Sequence, residues 1–307
     1  MNRGVVLEMS NLSLKKSFSR HIAGYLFISP WLIGFLLLAL WPILQSLYLS
    51  FTEYSLLEAP KWIGITNYKE IFHDQLFYKS LKVTFLFVFI SVPLKLAFSL
   101  MVAMLLNRSI RGINLYRTAF YFPSLIGGSI AVSVLWRNMF GMDGYINQIL
   151  AMFGIQGMGW ISNPETALGT LILLNVWQFG STMVIFLAGL KQIPKELYES
   201  AGVDGAGTVR KFFTITLPML SPVLFFNLIQ AIIGSFQMFT SAFIVTKGGP
   251  ANATYTYALF LYEKGFSQFE MGYASALAWI LLVIIGVFTA MNFMASKYWV
   301  FYETGGK

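Results

Sequence analysis

Residues 196–218 read ELYESAGVDGAGTVRKFFTITLP. This polar, glycine-broken stretch separates two long apolar runs in a chain of 307 residues that is 57% hydrophobic and 11% charged. Just upstream, Ile193-Pro194 can open a helix, because proline suits a first turn whose amide is not needed. Glu196 and Glu199 then lie early in that helix, at the positive end of its dipole. PKELYESAG spans about two turns. The glycines of VDGAG can end one helix and allow a sharp change of direction. TVRKFFTITLP reads as a second short helix, with Thr208 as its N-cap. Small residues at Ser200, Ala201, Gly202, Gly205 and Ala206 let another surface approach closely. The segment is therefore a docking element or an ordered linker, and the residues alone leave both open.

The rest of the chain says what it links. A soluble domain of this length needs far more charge on its surface than 11% of residues can supply, so the apolar residues face lipid. The formal charge of +8 comes in small groups between apolar runs, with no basic stripe of the kind nucleic acid requires. The chain contains no cysteine, which excludes disulfides, zinc-thiolate sites and iron–sulfur clusters. The basic N-terminal segment, residues 1–21, precedes an apolar run too long for a signal-peptide core, which makes that run a retained span.

A helical span needs about 20 mostly apolar residues. Six runs qualify, near 22–49, 83–106, 118–136, 167–190, 219–246 and 271–296. The expected fold is all-α, a six-span domain over 22–299 with a cytoplasmic loop at 191–218 and a tail at 300–307. Direction follows from the basic residues. Arg3, Lys15, Lys16, Arg20, Arg108, Arg111, Arg117, Lys191, Lys195, Arg210, Lys211, Lys297 and Lys307 fall on one side. The other side dilutes its lysines with Glu53, Glu58, Glu70, Asp74, Asp143, Glu165, Glu263 and Glu270. By the positive-inside rule both termini and the quoted segment are cytoplasmic.

Catalytic patterns are missing from the sequence. There is no phosphate-cradling GxxxxGK[ST], and His21 and His73 stand in no metal-ligand spacing. Serines lack a nucleophile elbow, and in-span carboxylates are too scarce for a proton relay. The chain is therefore not expected to be an enzyme, nor to bind a metal or cofactor of its own. Lys95, in SVPLKLAFSL, is an in-span charge. It either faces a pore and meets a hydroxyl-rich or anionic substrate, or rests against neighbouring protein where Pro93 distorts its helix.

The quoted segment resembles the EAA loop of ABC importer permeases: E-A-A, three residues, G, nine residues, I, any residue, L-P. Here these positions are Glu199, Ser200, Ala201, Gly205, Ile215, Leu217 and Pro218, with serine where alanine is usual. Asp204-Gly205-Ala206 matches the continuation found in the carbohydrate-uptake branch. TAFYFPSLIGGSIAVSVLWRNMF with GMDGYIN, and FQMFTSAFIVTKGGP, resemble the third span and the end of the fifth span of its maltose-type (MalF-like) subunit. The resemblance implies a type I ABC importer permease in a bacterial-type plasma membrane. It also implies a second, MalG-like permease, two ATPase subunits carrying the ATP and Mg²⁺, and an extracellular solute-binding protein. Glu199 would touch the ATPase, Gly205 would make the turn, and Ala201 and Ala206 would pack closely.

For the substrate path, Ser235, Gln237 and Thr240 bring polar groups to membrane depth beside Phe236 and Phe239, a mixture that suits sugar rings. Asn175, Gln178 and Lys95 are further candidates. Hydrogen bonding between helices is the other use for such groups. The expected cargo is a carbohydrate, most simply an oligosaccharide, with glycerol-3-phosphate or a polyol as the runner-up. A secondary transporter is disfavoured by the absence of an inverted repeat and of coupling carboxylates.

Overall fold

The computed structural model describes residues 24–108 and 111–301. The segment 1–21, most of the C-terminal tail and the basic residues they carry lie outside the described residues.

Helix α1 (Gly24–Leu49) widens into a π-helical turn at Phe35–Leu40, just before Pro42, which cannot supply the next regular amide. None of its apolar window is buried within this chain. A small hairpin follows, β1 (Thr52–Glu53) paired antiparallel with β2 (Lys61–Trp62), then α2 (Thr66–His73). The Asp74 side chain accepts from the Leu76 amide at 2.8 Å and caps α3 (Gln75–Leu106). That cap is why α3 begins at Gln75 and not at Val83. At 1.5 Å per residue α3 is about 48 Å long, so it outreaches a ~30 Å hydrocarbon core.

The predicted third span, 118–136, is not one helix. It consists of α4 (Ile113–Ile126) and α5 (Ile130–Met139), set at 99° to each other. Gly127 and Gly128 break the ladder, and Ser129 restarts it by accepting from the Val132 amide at 3.3 Å. After α6 (Tyr145–Met152), the predicted fourth span is also a bent pair, α7 (Pro164–Trp177) and α8 (Gly180–Gln192), at 43°. Helix α9 (Lys195–Val203) leads through a turn into α10 (Thr208–Phe236). The predicted fifth span thus starts earlier than Met219 and breaks at Gln237. Helical structure resumes only as a π-helical turn at Ala242–Thr246. Helix α11 (Tyr257–Tyr262) and α12 (Met271–Trp299) complete the chain. Four helices are long and apolar enough to cross a membrane alone, or six spans form if each bent pair counts as one.

Helix α3 is central, lying against α7, α8, α10 and α11. Phe87, Leu174, Met183, Phe186, Leu220 and Leu277 make the shared core. Tyr257 is fully buried. Its amide donates to Thr84 Oγ1 and its hydroxyl to the Leu277 carbonyl, both at 2.8 Å. These bonds satisfy polar groups that lipid could not.

Candidate functional site

Two features stand out, a turn beyond the membrane helices and a polar cluster within them. In the turn, Gly205 adopts φ +73°, the left-handed conformation that glycine enters at no steric cost. Its amide donates to the Gly202 carbonyl at 3.1 Å, and the Ala206 amide donates to the Ala201 carbonyl at 2.8 Å. This is the Schellman pattern of helix termination, which brings the residues at Ala201 and Ala206 against each other; both are half-buried. Gly205 thus makes the turn, and Ala201 and Ala206 pack across it.

Glu199, Ser200 and Asp204 are exposed, and Ser200 Oγ donates back to the Glu196 carbonyl at 2.9 Å. Beside them the tip exposes apolar surface, with Val203 90% and Val209 71% accessible. Tyr198 anchors the element from behind through a 2.9 Å hydrogen bond between its hydroxyl and that of Thr216.

Thr208 does not cap a separate short helix as the sequence suggested. Gly207 takes the cap position, and Thr208 is the first residue of α10, which runs on to Phe236. The end of the motif explains a local widening of that helix. Pro218 has no N–H for the Thr214 carbonyl, and the preceding residues Phe212–Thr216 form a π-helical turn. Ile215 packs on the core, and Leu217 and Pro218 are half-buried at the resumption of regular helix.

Within the helices, Lys95 Nζ donates to Asn175 Oδ1 at 3.1 Å. Asn175 Nδ2 in turn donates to Ser91 Oγ at 3.1 Å and Ser235 Oγ at 3.4 Å. Three of the residues singled out from sequence thereby converge from α3, α7 and α10. Gln237, exposed, and Phe239 and Thr240, half-buried, follow directly at the broken end of α10. Phe239 stacks on Phe243 and meets Tyr262, with ring centroids 5.2 and 4.8 Å apart.

The other two candidates do different work. Phe236 is 1% exposed, wedged between Phe85 and Phe288, so it is core and offers no face to a ligand. Gln178 Nε2 donates to the Gly127 carbonyl at 3.0 Å, strapping the bend of the third span to the bend of the fourth.

The model of the family described as "Binding-protein-dependent transport system inner membrane component" matches residues 76–296. This chain belongs to that family.

Among its relatives, the probable ABC transporter permease protein YesP of Bacillus subtilis is 53% identical over 95% of this chain and 97% of its own. The lactose transport system permease protein LacF of Rhizobium radiobacter is 32% identical over 94% and 98%. The arabinooligosaccharides transport system permease protein AraP of B. subtilis is 33% identical over 91% and 90%. A chain of a bacterial alginate ABC transporter, crystallised with an alginate pentasaccharide-bound periplasmic protein, shares the fold. Its TM-score is 0.80, at 21% identity, covering 92% of this chain and 96% of that one. The protein is thus a multi-pass inner-membrane permease subunit of the ABC importer class, with a type I permease fold.

Two structural devices of this permease were not read from its sequence. Ser91 and Ser99 flank Lys95 at i−4 and i+4, a spacing that places all three on one helical face. Ser99 Oγ donates to the Phe179 carbonyl at 3.3 Å, in the bend between α7 and α8. Asn147, within GMDGYIN, is 8% exposed. It donates to the Met142 and Met158 carbonyls at 2.8 and 2.9 Å and accepts from the Trp160 indole at 2.7 Å. The Ser99 contact spans 80 residues, and the partners of Asn147 lie in an irregular loop with no periodic pattern to mark them.

Proposed function

We propose that this chain forms half of the translocation path of an ATP-driven carbohydrate importer and is moved by a separate ATPase gripping the loop around Gly205. The observation that carries the reading is the continuity of α10. One helix begins two residues beyond the half-buried Ala206 and ends one residue beyond Ser235 of the polar cluster. The exposed Val203 and Val209, with the exposed Glu199, Asp204 and Arg210 close by in sequence, suit a partner that covers apolar surface and pairs charge at its rim. Ile215, Leu217 and Pro218 hold the base of that helix.

The remaining partners are a second permease subunit, two ATPase subunits holding ATP and Mg²⁺, and an external solute-binding protein. Both termini and the Gly205 loop lie in the cytoplasm on this reading. Carbohydrate is favoured by the names of the lactose and arabinooligosaccharide permeases among the relatives and by the chemistry here. Asn175 is hydrogen-bonded to Ser91 and Ser235, and Gln237 and Thr240 adjoin in sequence the Phe239 that meets Tyr262. Such a mixture of amides, hydroxyls and aromatic faces suits a sugar, and broken helices at membrane depth are tolerated where they are buried in protein or line a water-filled cavity.

The test is binding-protein-stimulated ATP hydrolysis by the reconstituted complex, with Gly205→Val, a β-branched residue that the left-handed turn excludes, in this chain. Uncoupled or lost stimulation is expected, and full stimulation refutes the coupling role. Because the chain has no cysteine, Val203→Cys can be labelled in whole cells. Reaction with a membrane-impermeant maleimide from outside would overturn the proposed direction.

A further inference from the structure

Lys95 carries a charge that its surroundings do not balance. Counting back from Leu106, Lys95 lies about 16 Å up α3 at 1.5 Å per residue, near the middle of a ~30 Å hydrocarbon core. A charge at that depth is costly and ordinarily faces a partner or an aqueous path. Among the described residues no carboxylate lies within 4 Å of Nζ; the salt bridge they contain is Lys264–Glu270, at 2.8 Å. Its hydrogen bond goes to a neutral amide oxygen, that of Asn175. The amide is then fixed in orientation, since its nitrogen donates to both Ser91 and Ser235. The C-terminal end of α7, just beyond Asn175, offers only the partial charge of a helix terminus, about half an elementary charge. An ammonium has three donors, and among the described residues one is used, toward Asn175. Lys95 and Asn175 are both half-buried, and the cluster adjoins two helix breaks, after Trp177 and after Phe236.

We infer that Lys95 is the specificity-determining residue for an anionic cargo. On this inference the transported carbohydrate bears a carboxylate or a phosphate, and that group takes the two free donors of Nζ while Asn175 holds the ammonium in place. The inference rests on the carbohydrate-importer reading and narrows it from sugars in general to acidic ones. A neutral sugar brings no counter-ion to Nζ, whereas an acidic one supplies the counter-ion that the described residues of this chain do not.

The complete transporter complex, purified without its binding protein, permits a direct test by saturation-transfer NMR. The probes are a glucuronic-acid-containing disaccharide, the same disaccharide with its carboxyl reduced to the alcohol, and glucose 6-phosphate. Wild-type complex is expected to bind the uronide, the phosphate ester or both more tightly than the neutral disaccharide; the two charged probes tell carboxylate from phosphate. Lys95→Met is expected to reduce that preference roughly ten- to a hundred-fold, the range of a charge-assisted hydrogen bond. Lys95→Arg should retain it. Asn175→Asp, which installs an internal counter-ion beside Nζ, should abolish it without removing the lysine. Equal binding of charged and neutral probes to wild type, no binding of either charged probe at millimolar concentration, or a preference unchanged in Lys95→Met and Asn175→Asp each overturns the inference. ATP-dependent uptake of any carbohydrate by the full system with its binding protein tests the broader reading separately. A transporter that takes up neutral sugars equally well would retain that reading and lose this one.

Discussion

Replacing Gly205 tests the geometry of the loop at its tightest point. A β-carbon built on Gly205 meets nothing within 4 Å, so the cost of substitution is torsional. At φ +73° that cost is about 1–2 kcal/mol for an ordinary L-residue, or a factor of about 5–30 in the population of the native turn. Asparagine tolerates the left-handed region better than other side chains, and a β-branched residue tolerates it worst. The expected order of retained function is therefore Gly, Asn, Ala, Val. The assay is binding-protein-stimulated ATP hydrolysis in proteoliposomes, paired with amide exchange over residues 195–210. Faster exchange at the Gly205 and Ala206 amides, both hydrogen-bonded in the native turn, should track the loss of stimulation. Valine performing as well as asparagine would refute the conformational argument, because size and polarity alone do not predict that order.

Further outcomes follow from the packing. Tyr198→Phe removes the hydroxyl contact with Thr216 and should cost about 1 kcal/mol; in a double-mutant cycle, Thr216→Val added to it should cost little more. Gly180→Ala places a methyl 2.6 Å from the Phe120 carbonyl oxygen and 2.8 Å from Tyr121 Cα. Backbone must then move, which overpacking data put at about 1–3 kcal/mol. Gly169→Ala, in open space on the same bent pair, should be neutral or stabilising by up to about 1 kcal/mol; thermal unfolding of the detergent-solubilised complex separates the two. Asn147→Asp turns a donor toward the Met142 and Met158 carbonyls into an acceptor and should lower that melting temperature by the equivalent of about 2 kcal/mol or more. A melt unchanged from wild type would remove Asn147 from the loop's scaffold.

How far the sequence could be read depended on how far apart the deciding residues lie. The loop was largely legible, because Gly205, Ala201 and Ala206 act through bonds between near neighbours. The six apolar runs were legible because a span needs only length and composition. Their bends were not. Pro93 sits inside α3 and Pro222 inside α10, and both helices continue past them. The third span, by contrast, turns through 99° at Gly127–Ser129, a bend fastened by a glutamine 51 residues later in the chain. Lys95, Asn175 and Ser235 could each be noticed singly, but their convergence joins residues 80 and 60 positions apart, beyond any local pattern. Phe236 was misplaced for the same reason, since its partners Phe85 and Phe288 come from the second and last spans.

The unbroken course of α10 has a mechanical consequence. Between the Gly205 turn and Ser235 the helix is interrupted by no loop, and its 29 residues make a rod about 43 Å long. Tilting such a rod by about 5° about its Ser235 end sweeps the Gly205 end through about 4 Å, at the same rise per residue. A loop would soak up that displacement; a rod passes it on, so the two ends cannot be repositioned independently. The wider π-turn at Phe212–Thr216 is where the rod can flex, and its compliance sets how much of any stroke delivered at one end survives to the other.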